Sequence, residues 1–320
     1  MSMNENLTEI VAKKTYLEYF CSESFTDGIH HHLIFLSTFV VFLCIFTSLG
    51  NALILVALRK ESTLASPSKL LLRSLATSDL FVGMLSDPLV AIYWVSAIQQ
   101  HWSVCYYAFF TAFVVNSALC LVSLMTLSAI SVDRLLALSL GMRYRETVTS
   151  KRVYGIIITF WVLATIGSAV SVKSSQFTTR FIQTVIGLCL LTSMFSHTII
   201  FFSLRKHRTR GQDRRSREDP SSASGNQRIE VNIAKHKRAA STVLWIQLAL
   251  LIFYLPYTVI VALLSIRGEL SQTLVLSRQY GVVFVLANSS LNPLLYCWKI
   301  SEVREAVEAT LKNWRCSSTD

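Results

Sequence analysis

Five stretches of this 320-residue chain contain no Asp, Glu, Lys or Arg: 33–58, 103–132, 153–172, 181–204 and 239–266. A sixth, 279–298, ends at Lys299, and a seventh, around 70–92, is apolar but holds Asp79 and Asp87. A helix needs about 20 such residues to cross the ~30 Å hydrocarbon core of a bilayer. Within that core every backbone N–H and C=O must find its partner inside the protein, so only helices or a closed barrel can span it. The runs are continuous rather than alternating, which predicts helices and not barrel strands. The expected fold is an all-α membrane protein, a bundle of seven transmembrane helices at about 33–58, 70–94, 103–137, 152–172, 181–204, 237–266 and 273–298. A polar tail, 1–32, precedes the bundle 33–298, a cytoplasmic loop 205–236 interrupts it, and 299–320 follows it. Residues 1–32 show no cleavable signal, so the first apolar run is expected to act as its own membrane signal.

Only 15% of the residues are charged, where a soluble domain would carry about a quarter. The net charge of +11 raises the question of nucleic acid as a partner. The basic residues cluster in short segments between the apolar runs, so membrane orientation explains them and no nucleic-acid role is expected. With the N-terminus outside, 22 Lys and Arg fall on inner segments and 6 on outer ones, the latter being Lys13, Lys14, Lys173, Arg180, Arg267 and Arg278. Inner loops of membrane proteins carry such an excess, which predicts an extracellular N-terminus and a cytoplasmic C-terminus. Asn6-Leu7-Thr8 is then a glycosylation sequon on the outer side. Asn288-Ser289-Ser290 also fits the pattern but lies within the last span and is expected to be silent.

Seven cysteines, at 21, 44, 105, 120, 189, 297 and 316, form no CxxC pair and no Cys/His cluster with zinc spacing. His30, His31 and His32 read as an interfacial run at the first membrane entry, not a metal site. The stretch 205–238, with Asp219-Pro220-Ser221-Ser222-Ala223-Ser224-Gly225, reads as a flexible loop rather than a domain. Beyond Lys299, Val303, Ala306, Val307 and Leu311 share one helical face, which predicts an amphipathic helix on the inner membrane surface. Cys316 follows it and is a palmitoylation candidate, an unmodified thiol being the other reading.

Ionisable and amide side chains inside spans are costly, and by default they mark function. Asn51 sits in the first span, Asp79 in Leu75-Ala76-Thr77-Ser78-Asp79 of the second, Asp133-Arg134 at the inner end of the third, and Asn292-Pro293-Leu294-Leu295-Tyr296 closes the seventh. Buried carboxylates alone also suit an ion carrier. The order and placement of the set, together with Trp102 and Cys105, Trp161 in span four and Pro256 in span six, resemble the rhodopsin-like (class A) G-protein-coupled receptors from about 33 to 316. The resemblance implies a multi-pass plasma-membrane receptor, not an enzyme, in which an extracellular ligand shifts the bundle and the inner face activates a heterotrimeric G protein. It assigns coupling and activation to Asp133, Arg134, Tyr254, Pro256, Asn292, Pro293 and Tyr296. Asp133 would restrain Arg134 through a charge-assisted bond. Pro256, lacking a backbone N–H, would kink span six into a lever.

The same resemblance places a sodium ion among Asp79, Ser123, Asn288, Ser289 and Asn292, all oxygen-bearing side chains suited to a hard cation. The alternative is a protonated Asp79 in a water network. No other cofactor is expected. A pocket in the outer half would be built from Asp87, Tyr93, Trp94, Asn116, Tyr254, Tyr257 and Tyr280, an aromatic and polar set on an apolar wall that suits a small or lipid-like ligand, with a peptide as another candidate. Asp87 would either meet a cation or be satisfied within the Pro88 kink. Asn116 replaces the aspartate that anchors biogenic amines, and Leu286 replaces the lysine that carries retinal in opsins.

Several positions depart from the family pattern. Leu135 ends the Asp-Arg-Tyr triplet, Tyr254 replaces the tryptophan before the span-six proline, and span five lacks a proline. His236 stands where an acidic partner for Arg134 is usual, which implies a weak inactive-state restraint and raised basal activity. The short second outer loop, Lys173 to Arg180, has no cysteine, which resembles the melanocortin, cannabinoid and lysophospholipid receptors. Cys105, where the family places half of a disulfide, therefore lacks its usual partner. Cys21 in the tail can reach it at up to ~3.3 Å per residue, folding the tail over the pocket. The other reading leaves Cys105 reduced among Trp102, Tyr106 and Tyr107. Other functions with this architecture are an ion carrier, disfavoured because no internal repeat is visible, and a non-signalling decoy, disfavoured by the intact Arg134 and NPxxY motif.

The topology makes a direct prediction. Glycosidase treatment of cell-expressed protein should lower its apparent mass, and Asn6→Gln should abolish that shift. An epitope at Asp320 that antibody reaches on intact cells would overturn the assigned orientation.

Overall fold

The computed structural model describes residues 19–60, 66–170, 175–215, 250–266, 271–299 and 301–317. The apolar runs form helices because lipid offers their backbones no other partners. A short turn α1 (Glu23–Thr26) precedes the first span, α2 (His30–Lys60). The second span is α3 (Ser66–Phe81), a π-turn at Val82–Ser86 and α4 (Asp87–Ile98). The third is α5 (Trp102–Leu140), followed by a 3-10 turn at Gly141–Arg143 and α6 (Tyr144–Thr147). Then come α7 (Ser150–Ala169), α8 (Ser175–Arg215) and α9 (Leu250–Ile266). The last span is α10 (Gln272–Lys299), with α11 (Ser301–Ser317) beyond it. Among the described residues six helices are long and apolar enough to cross a membrane, and α9 is the described part of the sixth span, so the chain is a seven-helix multi-pass bundle.

The third span is the hub, packing against α3, α4, α7 and α8, while α2 packs against α3, α4, α10 and α11. Two apolar clusters fill the interior. The outer one gathers Phe20, Phe25, Leu36, Trp94, Phe109 and Leu286, and the inner one Ile54, Leu75, Leu124, Leu127, Tyr254 and Tyr296. Along spans one, two and seven buried polar residues stand between the two clusters, Thr47 and Asn51, Asp79, and Asn288 to Asn292, and Ser123 of the third span joins them just inside the inner cluster. A polar layer thus crosses the bundle between its two apolar halves. Outward-facing Phe42, Phe46, Ile166, Leu191 and Phe195 are exposed, as a surface covered by lipid requires.

Two prolines shape this interior. Pro88 has no N–H for the carbonyl four residues earlier, and its ring crowds that carbonyl, so the helix widens into the π-turn just before it. Gly83 lies in that turn, where an added Cβ would meet the Ser48 backbone nitrogen at 2.9 Å and Thr47 Cβ at 3.0 Å. Pro293 sits inside α10 and likewise leaves the Ser289 carbonyl without its helical donor. The amide of Asn51 donates to that carbonyl at 3.2 Å, and Gly50 gives the Pro293 ring room against α2. At the inner surface α11 buries Val303, Ala306 and Val307, as its expected face requires. Leu311, expected on the same face, is exposed instead and Thr310 is buried, because at about 100° per residue Thr310 falls in line with Val303 and Val307 while Leu311 lies at the edge of that face.

The close approach at Gly83 predicts a packing-sensitive position. Gly83→Ala should cost about 1–3 kcal/mol, since backbone cannot yield as a side chain can, and lower the melting temperature of the purified protein. Gly155→Ala, where an added methyl meets nothing within 4 Å, should be neutral or mildly stabilising in the same assay.

Candidate functional site

The outer end of the bundle is closed by its own N-terminal segment. Cys21 and Cys105 are joined in a disulfide, which decides between the two readings of Cys105. The bridge presses Phe20 down into the mouth, where it is fully buried and stacks on Phe109 at 5.3 Å. Phe25 stacks on Tyr93 at 6.0 Å, and the Tyr93 hydroxyl donates to the Phe20 carbonyl at 3.5 Å. Offset and edge-on ring pairs of this kind add about 0.5–1.5 kcal/mol each beyond area burial. Gly28 takes φ +71°, a left-handed turn suited to glycine, and Gln272 of α10 donates to the neighbouring Asp27 carbonyl.

Beneath this strap lie two small cavities of about 40 Å³ each. Tyr93, Trp94, Asn116 and Tyr257 line the outer one, with Phe109, Arg278 and Gln279. Asn116, Tyr254 and Tyr257 line the deeper one, with Cys120 and Ile186. Asn116 joins the two and accepts hydrogen bonds from Ser86 at 3.1 Å and from the Cys120 thiol at 3.1 Å. Trp94 Nε1 donates to Gln279 Oε1 at 3.2 Å, while Gln279 Nε2 is buried without a hydrogen-bond partner among the described residues.

Two of the seven expected pocket residues lie elsewhere. Tyr280 is absent from both cavity walls, because helical register turns it toward the first span, where its hydroxyl meets His32 Nδ1 at 3.0 Å. Asp87 also lines neither cavity. It is fully buried, and neither carboxylate oxygen has a hydrogen-bond partner among the described residues, so it is not satisfied within the Pro88 turn.

Arg278 is the residue the sequence misplaced. Counted there among outer-segment charges, it is buried in α10, with its guanidinium 5.0 Å above the Phe20 ring and 5.9 Å from the Phe109 ring. Its spacing of one turn before Val282, on the inward face of the seventh span, was the available signal.

In the middle layer Asp79 gathers three partners from two other spans. Ser123 donates to its Oδ1 at 2.9 Å, Ser289 to the same oxygen at 2.8 Å, and Asn292 to Oδ2 at 2.6 Å. Asn288, the fifth residue expected there, is buried, but its amide nitrogen has no hydrogen-bond partner among the described residues. Tyr296 is buried one turn further in, its hydroxyl likewise without a hydrogen-bond partner among them.

At the inner end the expected Asp133–Arg134 pairing is weak. Arg134 Nε lies 4.0 Å from Asp133, at the limit of an ion pair. Asp133 instead accepts from Ser68 at 2.7 Å and from the Tyr144 hydroxyl at 2.5 Å. The i,i+1 spacing is the reason: adjacent helical residues point about 100° apart, so the carboxylate turns inward to α3 and α6 while the guanidinium stays at the surface. Burial and the Asp133 charge push the Tyr144 phenol up to about 12, so it remains a neutral donor at physiological pH. Pro256 lies on the exposed side of α9, two residues on from buried Tyr254 and on the opposite face. Asn6, His236 and the Cys316 side chain lie outside the described residues.

Comparison with known proteins agrees with this layout. The family model "7 transmembrane receptor (rhodopsin family)" matches residues 50–180 and 172–296. The alpha-2B adrenergic receptor of Didelphis virginiana is 34% identical over 130 residues, 39% of this chain and 32% of that receptor. The adenosine receptor A2b of Rattus norvegicus is 35% identical over 115 residues, 36% of this chain and 33% of that receptor. The chain thus matches about a third of the length of these curated relatives. Squid rhodopsin shares the fold at a TM-score of 0.72 with 20% identity, over 88% of this chain and 86% of the squid chain. The family consists of receptors rather than enzymes, and a model matching most of the bundle shows that this chain belongs to the rhodopsin family of seven-transmembrane receptors.

Proposed function

We propose that the chain is a plasma-membrane receptor with its N-terminus outside, whose outer cavities take a small or lipid-like ligand and whose inner face activates a heterotrimeric G protein. The observation that carries this reading is the division of labour at Asp133-Arg134. The carboxylate is 4% exposed and held by Ser68 and Tyr144, whereas Arg134 keeps 32% of its side chain exposed at the cytoplasmic end. A structural arginine would be spent on its neighbour; this one is presented to a partner. The loose 4.0 Å contact also supports appreciable basal activity.

A ligand acts by binding one arrangement of the spans more tightly than another. The cavities touch spans two, three, five, six and seven, and Tyr254 is two residues before Pro256, where span six lacks a backbone bond and bends readily. Tyr296 supplies a second bias. A buried hydroxyl without a partner costs about 1–3 kcal/mol, so a shift of α10 that gives it one is favoured. Arg278 brings positive charge to the outer cavity wall and Gln279 Nε2 a free donor, which favours a ligand bearing an acidic or carbonyl oxygen. Asn116 offers an amine no carboxylate, so the adrenergic relative's ligand class is not carried over.

The middle layer fits a sodium ion. Asp79, Ser123, Ser289 and Asn292 already converge, and rotation of the two hydroxyls or a flip of the amides of Asn288 and Asn292 would present oxygen lone pairs. When bound, the ion would supply one positive charge that ties spans two, three and seven together. In its absence the same residues hold a protonated or water-bridged Asp79.

Two experiments test the reading. Arg134→Ala should keep surface expression and reduce second-messenger output by on the order of tenfold or more, equivalent to at least ~1.4 kcal/mol; full output from the variant would refute the coupling role. Replacing sodium by a large organic cation should raise basal signalling in the wild type and leave Asp79→Asn unchanged. Indifference of the wild type to the swap would count for the protonated carboxylate.

A further inference from the structure

One aromatic ring of the N-terminal strap is held as a ligand would be. Phe20 is fully buried at the mouth of the bundle. Its ring lies nearly parallel to that of Phe109 on α5, at 14° and 5.3 Å between centroids, and the Arg278 guanidinium of α10 stands over its face at 5.0 Å. Its backbone carbonyl accepts from the Tyr93 hydroxyl of α4 at 3.5 Å. One residue thus meets spans two, three and seven, each through a different interaction. A slot between a second ring and a cation selects for aromatic character. Stacking and cation–π attraction both need a π-face, which an aliphatic group of the same size lacks.

The slot belongs to the pocket and not to a lid beside it. Phe109 and Arg278 are also walls of the outer cavity, together with Tyr257 of span six. Gly281 follows Arg278 on α10 by three residues, and a Cβ added there would meet the Tyr257 Cα at 3.3 Å, so the two helices lie backbone to backbone at that level. Phe20 therefore bears on the seventh span at Arg278, and the seventh bears on the sixth beside Pro256, where span six bends.

A blocker that a ligand displaces must be able to leave. This segment is fixed on both sides, by the Cys21–Cys105 disulfide directly after Phe20 and by Gln272 on the Asp27 carbonyl. Tethering gives the ring an effective concentration that a free ligand does not reach. With the ring seated, the inner end of the bundle holds Arg134 only loosely, 4.0 Å from Asp133. The arrangement that accompanies the seated ring is thus one that presents the coupling arginine.

We propose that Phe20 is a built-in agonist, an aromatic side chain of the receptor's own tail that sits permanently between Phe109 and Arg278 and sets basal signalling. The same slot takes a small aromatic molecule once the side chain is removed. This rests on the coupling reading above and goes beyond it, because it assigns the activating contact to the chain itself and leaves an external ligand the space beneath.

Basal second-messenger output, compared at matched surface expression with Arg134→Ala as the zero level, tests the idea. Phe20→Ala should lower output several-fold. Phe20→Leu, which keeps most of the apolar volume and is the safer variant for folding, should lower it nearly as much. Toluene, the phenylalanine side chain as a free molecule, should restore output in Phe20→Ala and leave the wild type unchanged. Methylcyclohexane, similar in size but without a π-face, should not restore it. On purified Phe20→Ala, toluene should raise the melting temperature more than methylcyclohexane does, a readout that needs no G protein. Output unchanged or raised in both variants would make the ring a structural plug or an inhibitor and overturn the proposal. Equal effects of the two molecules would reduce the slot to a space to be filled and overturn it as well. If the wild type stands no higher than Arg134→Ala, mixing purified wild type with nucleotide-free heterotrimeric G protein separates the causes: a stable complex would defeat built-in agonism alone, and no complex would defeat the coupling reading with it.

Discussion

A buried carboxylate in the middle of a membrane bundle is the constraint around which the rest is arranged. Asp79 sits where unpaired charge is most expensive, and it is tolerated because spans three and seven deliver donors to it: Ser123, Ser289 and Asn292. Those donors can arrive only if α10 reaches the layer in the right register. Pro293 sets that register at a cost, freeing the Ser289 carbonyl, and Asn51 of the first span meets it. One breach in the backbone ladder and one buried charge are thus answered by the same few residues, and four helices are tied together at their midpoint. Buried polar networks of this kind fix a packing arrangement more than they add stability.

Above that layer the receptor solves a second problem. The segment joining the fourth and fifth spans carries no cysteine, and it is the N-terminal strap that is bridged over the bundle mouth. The Cys21–Cys105 bridge fixes one point, the Gln272–Asp27 bond another, and between them Phe20 and Phe25 sit on Phe109 and Tyr93. A disulfide contributes about 2–4 kcal/mol mainly by limiting the unfolded chain, so its structural value here lies in where it holds the rings. Phe20 stacks on Phe109, a wall residue of the outer cavity. Below the layer, Asp133 faces inward to Ser68 and Tyr144 and leaves Arg134 near the surface. The three levels are joined by α5, which carries Cys105 at its outer end, Ser123 in its middle and Asp133 at its inner end.

The sequence by itself determined the number of spans, their nature and their order, because about twenty uncharged residues in a row leave the backbone no choice but a helix in lipid. It also determined that Asp79, Asn51, Asn292 and Arg134 were worth asking about, since polar groups in such runs need a reason to be there. A lone cysteine outside the membrane and a second within reach were enough to raise the bridge, though reach alone could not exclude a free thiol. Only the tertiary structure decided which neighbour each polar group takes. Adjacent residues on a helix diverge, so Asp133 chose Ser68 and Tyr144 over Arg134, a choice that depends on α6 folding back after the third span. Register turned Tyr280 to His32 and Arg278 inward over Phe20, and composition had counted the latter as an outer charge. The slot that holds Phe20 was invisible in the sequence altogether, because its walls, Phe109 and Arg278, come from the third and seventh spans and only the folded bundle brings them to one ring of the tail.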